Sequence, residues 1–109
     1  MRSARESGAS PSARHAATEL LGQRWMLRVI RELESGPLGF LELRRRMGNC
    51  SSSMLSTRLH TLQKAGLSVQ RPDKSHELTA AGTELAGALE PLWAWADRRG
   101  GAIAEALDA

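Results

Sequence analysis

Apolar positions along the chain recur at helical spacing over most of its length, with one short exception. A first helical segment is expected from about Ser12 to Leu21, with Gly22 as a break or a close-packing point. Met26, Val29, Ile30 and Leu33 follow at i, i+3, i+4 and i+7, the stripe of a buried helix over about Arg24 to Leu33 that Gly36-Pro37 stops. Phe40, Leu43 and Met47 then predict a short helix with Arg44, Arg45 and Arg46 turned toward solvent. Gly48-Asn49 turns the chain into a fourth helix, about Ser51 to Ala65, whose Gly66 suits a left-handed cap. The exception is LSVQRPDKSHELT. Leu67 and Val69 alternate with polar residues, Pro72-Asp73-Lys74-Ser75 signals a turn, and His76 to Thr79 resumes an extended pattern, together a small β-hairpin. Thr79 is a fitting N-cap for a long helix carrying Leu85, Leu89, Leu92 and Trp93 on one side. Pro91 should kink that helix, Gly100-Gly101 should end it, and AIAEALDA should add at most a short turn.

The 109 residues suffice for one domain with its own core. The organisation expected is an N-terminal flexible arm over 1–11, a domain over 12–99 and a short C-terminal tail or helix over 100–109. The single cysteine, Cys50, excludes an intrachain disulfide and fits a reducing cytoplasm. Neither a membrane-spanning apolar run nor the apolar core of a signal peptide is present. Charge sharpens the picture. The net charge is +3, but the stretch from Arg44 to Lys74 carries net +6 and the rest net −3. Such segregation gives one positive face, the footprint of a phosphate-backbone partner.

The fourth helix explains that face. At 100° per residue Leu55, Leu59 and Leu62 share one side, with Met54 at its flank. Ser53, Thr57, His60 and Lys64 share the opposite side, with Ser52 and Ser56 at its edge. A solvated helix of this length usually mixes Glu with Lys; this face has no carboxylate. A helix lying in a major groove has that requirement, because an acid there would meet phosphates, while Ser and Thr can bond base edges or phosphates. Helix, short turn, helix with a basic approach is the helix-turn-helix pattern, and the hairpin supplies a wing. The fold class expected is therefore mainly α: a winged helix-turn-helix with a short two-stranded wing and a long C-terminal dimerisation helix.

GQRWMLRVIRELESGPLGFLELRRRMGNCSSSMLSTRLHTLQKAGL, followed by HELTAAGTELAGALEPLWAW, resembles the HxlR-type winged helix-turn-helix regulators of bacteria. The likeness runs through Gly22-x-Arg24-Trp25, Gly36-Pro37 with Phe40-x-x-Leu43, and Ser51-x-x-Met54-Leu55-Ser56. It continues through Leu59-x-x-Leu62-x-x-x-Gly66-Leu67, Leu78-Thr79-x-x-Gly82 and Trp95, covering about Leu20 to Trp95. The resemblance implies a homodimer built from the terminal helices, recognition helices in successive major grooves of double-stranded DNA, and a repressor or activator that responds to a small-molecule effector or to oxidation. Three features depart from the family pattern. The cysteine that members carry ahead of Gly-x-Arg-Trp is absent, Ser12 and Ala13 standing in that region. Gly39 replaces a basic residue before Phe40. Only ten residues, Ser68 to Glu77, separate Leu67 from Leu78, so a wing of about four residues per arm reaches only some 13 Å.

The DNA-binding residues expected are Arg44, Arg45, Ser51, Ser52, Ser53, Ser56, Thr57, Arg58, His60, Lys64, Arg71 and Lys74, with Arg46 beside them. The cations would hold phosphates; Ser52, Ser53, Ser56, Thr57 and His60 would read bases. Trp25, Trp93 and Trp95 read as core or dimer contacts, or as the walls of an effector pocket. Cys50 reads as a small buried hydrophobe, the alternative being a thiol activated by the N-terminus of the following helix. His15, His60 and His76 lack metal-ligand spacing, and no catalytic constellation stands out, so no metal, cofactor or enzymatic activity is expected. The competing reading is a winged-helix domain turned to binding a small apolar molecule or a protein through its tryptophan helices.

Overall fold

The computed structural model describes residues 11–108. The arm expected over 1–11 lies, except for Pro11, outside them. The elements are α1 (Pro11–Leu21), α2 (Met26–Leu33), α3 (Phe40–Arg46), α4 (Ser52–Lys64), β1 (Ser68–Gln70), β2 (His76–Leu78) and α5 (Ala80–Asp108). This is a mainly helical winged helix-turn-helix with a two-stranded antiparallel wing and a long C-terminal helix.

Helix α2 is the hub. Its stripe of Met26, Val29, Ile30 and Leu33 is buried, and the helix packs against α1, α3, α4, α5 and β2. Leu43 and Met47 from α3 and its exit, Leu55, Leu59 and Leu62 from α4, and Ala86 from α5 complete the core. The helix begins two residues later than its sequence pattern suggests. Trp25 takes a left-handed conformation, φ 74°, at the N-cap and offers no side-chain cap. That region is unusual for a bulky residue, and Trp25 holds it while its side chain packs against the core.

The turn between α3 and α4 and the end of α4 follow from local chemistry. Ser51 caps α4, its Oγ accepting from the Met54 N–H at 3.2 Å, which satisfies one of the orphan donors of the first turn. Gly66 adopts φ 79°. Past it, the Thr79 hydroxyl donates to the Gly66 carbonyl at 2.7 Å and accepts from the Gly82 N–H at 3.1 Å. One side chain thus ties the end of α4 to the start of α5.

The wing departs from its sequence pattern in three ways. Its paired strands are three residues each, in register Ser68↔Leu78, Val69↔Glu77 and Gln70↔His76. The inward face carries polar residues: Ser68 and His76 are buried there beside the partly buried Leu78, and Val69 is exposed. Pairing fixes this, because side chains two apart share a face, so the register that sends His76 inward sends Ser68 with it. Finally, His76 also pairs with Leu38, donating its N–H to the Leu38 carbonyl at 2.8 Å and accepting in return at 3.0 Å. A single residue after Gly36-Pro37 thereby acts as a third strand. The tip is a tight turn closed by Lys74 N–H to Arg71 carbonyl at 2.8 Å, with Lys74 left-handed at φ 75°, the three-residue hairpin loop of a type I turn followed by a left-handed residue.

The expected end of α5 at Gly100-Gly101 is corrected: the helix continues to Asp108. Each glycine costs a helix about 1 kcal/mol relative to alanine, but AIAEALD beyond them is built almost wholly of helix formers, and no proline or capping residue intervenes. The helix also runs through Pro91.

Candidate nucleic-acid interface

The recognition helix α4 presents the expected two sides. Leu55, Leu59 and Leu62 are buried, whereas Ser52, Ser53, Ser56, Thr57, His60 and Lys64 are exposed. Along the outer side the hydroxyls are partly committed. Thr57 donates to the Ser53 carbonyl at 2.9 Å, and Ser51 and Ser53 lie 3.2 Å apart, oxygen to oxygen. Their lone pairs stay open to a donor such as an adenine or cytosine amino group. Ser52, Ser56, His60 and Lys64 have no side-chain partner among the described residues.

The cations divide into three groups, a division the sequence does not reveal. Arg44 and Arg58 are half-buried and turned onto backbone. Arg44 Nε donates to the Cys50 carbonyl at 2.6 Å, bracing the turn between the two helices. Arg58 Nε donates to the Arg24 carbonyl at 2.7 Å, fastening the recognition helix to the entry of α2. The guanidinium of Arg24 lies 5.8 Å from the centroid of the Trp25 ring. Arg24 and Trp25 are therefore structural neighbours of the site, and reading the sequence alone missed Arg24; the only signal was its place in Gly22-x-Arg24-Trp25.

Arg45, Arg46 and Arg71 form surface ion pairs. Glu42 receives Arg45 and Arg46, the latter at 3.0 Å; Glu77 receives Arg71 at 3.1 Å. Hydrogen bonds from Arg45 and then Arg46 hold the Glu42 carboxyl below its ordinary pKa, and Glu42 raises that of Arg45. Exposed pairs of this kind contribute little to stability because solvent screens them, so a phosphate can displace the carboxylate at little cost. Lys64 and Lys74 have no side-chain partner among the described residues and are free cations. At the wing tip Asp73 accepts from both the N–H and hydroxyl of Ser75, at 2.9 and 2.6 Å, which lowers its pKa and fixes the loop that carries Lys74.

The tryptophans do not share one environment. Trp25 is packed on the core. Trp93 sits under the Arg31 guanidinium, 5.4 Å from ring centroid to Cζ, and Arg31 also reaches Glu34 and Glu90 at 3.2 and 3.5 Å, joining α2 to α5. Trp95 is 42% exposed. Cys50 is half-buried against the core. Among the described residues no three His, Cys, Asp or Glu side chains gather as a metal site, and no helix is long and apolar enough to cross a membrane.

Comparison with known proteins agrees with this geometry. The family model described as HxlR-like helix-turn-helix matches residues 20–103. Among curated relatives, the uncharacterized HTH-type transcriptional regulators Rv3095 of Mycobacterium tuberculosis (strain ATCC 25618 / H37Rv) and Mb3122 of Mycobacterium bovis are each 39% identical over 87 residues. Each alignment covers 74% of this chain and 54% of the relative, so the chain spans about half the length of the curated relatives it matches. Among solved structures, quinone-bound YodB from B. subtilis superposes with a TM-score of 0.73 at 32% identity, covering 81% of this chain and 97% of that one. A possible HxlR family transcriptional factor from Thermoplasma volcanium GSS1 superposes with a TM-score of 0.67 at 28% identity, covering 72% and 76%. With the helix-turn-helix, the wing and the long terminal helix all in place, the chain belongs to the HxlR-like helix-turn-helix family.

Proposed function

We propose that this chain is a homodimeric, sequence-specific DNA-binding transcriptional regulator that inserts α4 into the major groove. The observation that carries the reading is the outer side of α4: Ser52, Ser53, Ser56, Thr57, His60 and Lys64 are exposed together with no carboxylate among them. Ser, Thr and His supply base-edge donors and acceptors of modest individual discrimination. Lys64 and Lys74 take phosphates directly, and Arg45, Arg46 and Arg71 do so by leaving Glu42 and Glu77. Arg44 and Arg58 hold the frame that aims the helix.

A dimer is supported by α5. Leu92, Trp95, Ile103 and Leu107 are exposed, and at 100° per residue they fall within an arc of about 120° on one side of the helix. Ser12 to Glu19 of α1 are exposed as well. An apolar stripe of this length on α5 seeks a partner, and the same helix of a second copy fits it. One structural neighbour was solved with a quinone bound, and response to a small-molecule effector belongs to the proposal.

The test is fluorescence anisotropy of the purified protein with DNA from immediately upstream of its own gene, beside a scrambled duplex, over a salt series. Two to five phosphate contacts per protomer predict a slope of log affinity against log salt of about −4 to −9 for the dimer. Tight, salt-sensitive binding to the upstream duplex alone is expected. Equal, weak binding to both would move the reading to a domain that binds a small molecule or a protein.

A further inference from the structure

A cleft of about 370 Å³ opens between the recognition helix and the wing, at the lower end of the roughly 300–1,000 Å³ typical of small-molecule sites. Helix α4 contributes Ser56, His60 and Gln63 to its lining, and the hairpin contributes Gln70 and His76. Phe40 and Leu59 form its apolar part. None of these side chains carries a fixed charge, so the cleft itself offers a charged ligand no ion-pair partner.

His76 gives the cleft its polarity. The residue is 6% exposed, and its Nδ1 is enclosed with no hydrogen-bond partner among the described residues. Burial pushes its pKa below the ordinary histidine value, so the ring is neutral at pH 7. A stranded lone pair is cheaper than a stranded N–H, so the proton belongs on Nε2, and the ring, which lines the cleft, is a donor. Gln70 already donates to the Lys74 carbonyl at 3.2 Å, while Gln63 and His60 have no fixed partner among the described residues. A metal ion is a poor match, because a metal-ligating imidazole normally anchors its other nitrogen on an acceptor, and His76 Nδ1 has none.

We propose that this cleft binds a small uncharged aromatic compound bearing a carbonyl-type hydrogen-bond acceptor, and that the occupied cleft withdraws Ser56 and His60 from DNA. The second half rests on the DNA-binding reading above. The first does not.

The experiment uses the full ¹⁵N-labelled chain titrated with benzamide, with benzoate, benzylamine and toluene as controls of matched shape. Benzamide should give saturable amide shifts centred on Ser56, Gln63, Gln70 and His76, with the controls at least about tenfold weaker. His76→Leu removes the donor, and Gln63→Trp, at an exposed position, plugs the cleft; both should abolish the shifts. Saturating benzamide should also weaken duplex binding by wild type and leave Gln63→Trp unaffected. Shifts equal to those from toluene or benzoate, shifts scattered away from the cleft, or shifts retained in both variants overturn the site. Shifts in the cleft with duplex affinity unchanged overturn the competition. A protein that binds no duplex at all overturns the DNA-binding reading, and the shift map alone then decides the cleft.

Discussion

Two glycines in α5 should respond oppositely to the same substitution. A Cβ at Gly82 would overlap the carbonyl oxygen of Leu67, lie 3.0 Å from the carbonyl carbon of Leu67 and lie 3.2 Å from the Cβ of Leu78. The first two obstacles are backbone, and that backbone is held: the Leu67 carbonyl accepts the Thr79 N–H at 3.0 Å. At Gly87 an added Cβ meets nothing within 4 Å. Alanine improves helix propensity by about 1 kcal/mol at either site. At Gly87 that gain stands alone, so Gly87→Ala should stabilise by roughly 0.5–1 kcal/mol. At Gly82 the overlap must be relieved by moving the end of α4 away from α5. Overpacking in a fitted core costs about 1–3 kcal/mol and sometimes more, and this contact is tighter than most, so Gly82→Ala should lose roughly 2 kcal/mol net. Thermal unfolding followed by circular dichroism at one fixed protein concentration reads both. At about 4–8 °C per kcal/mol for a domain of this size, Gly82→Ala should melt some 8–15 °C lower and Gly87→Ala a few degrees higher. The recognition helix ends at this contact, so Gly82→Ala should also bind the upstream duplex more weakly at temperatures where it stays folded. Equal stabilisation by both alanines would refute the claim that close backbone approach at Gly82 sets the junction between α4, the wing and α5.

Three further substitutions separate the roles assigned to the site. Arg58→Lys keeps the charge and loses the Nε donor to Arg24, so it should cost about 1–2 kcal/mol in urea unfolding and weaken duplex binding with the salt slope unchanged; unchanged stability would make Arg58 a simple phosphate contact. Lys64→Ala removes one free cation per protomer, so the salt slope of the dimer should shallow by about 1.8 with stability intact; an unaltered slope would take Lys64 off the DNA. His76 has its pKa depressed by burial, so the unfolded chain binds the extra proton first. The stability His76 contributes is present above its ordinary value of about 6.5 and is lost as pH falls below it toward the depressed folded value. Wild type should therefore lose stability between pH 7 and 5 more steeply than His76→Leu, and parallel profiles would show that His76 is not the titrating group.

Much of the fold was legible because it rests on local rules. The α2 stripe, the leucines of α4 and the left-handed Gly66 are each set by side-chain period or one missing Cβ, and all can be read within about two turns of chain. The Ser51 cap escapes that reading, because the pattern places Ser51 inside the helix, among the residues facing DNA. Where a stronger local rule competed, the pattern misled. Gly100-Gly101 looked like an end, but glycine only taxes a helix, and the helix formers beyond it outweigh the tax. In the wing, the alternation of Leu67 and Val69 with polar residues left the inward face unassigned, and pairing with β2 and with Leu38 turned Ser68 and His76 inward.

The candidate site shows the division most plainly. Composition determined that one stretch is basic and that the outer side of α4 lacks carboxylates, and those facts sufficed for a DNA-binding reading. Which cations are free was decided only in three dimensions. Arg58 meets a carbonyl 34 positions away, Arg71 meets Glu77 across the hairpin, and Glu42, just outside the basic stretch, engages two of its three consecutive arginines. The same holds for the cleft, whose two halves come from α4 and a hairpin facing each other. Helical period and capping are properties of neighbouring residues, so the sequence by itself determined them. Charge pairing, burial of His76 and the cleft depend on which distant segments meet, and only the packing of the whole chain settles that.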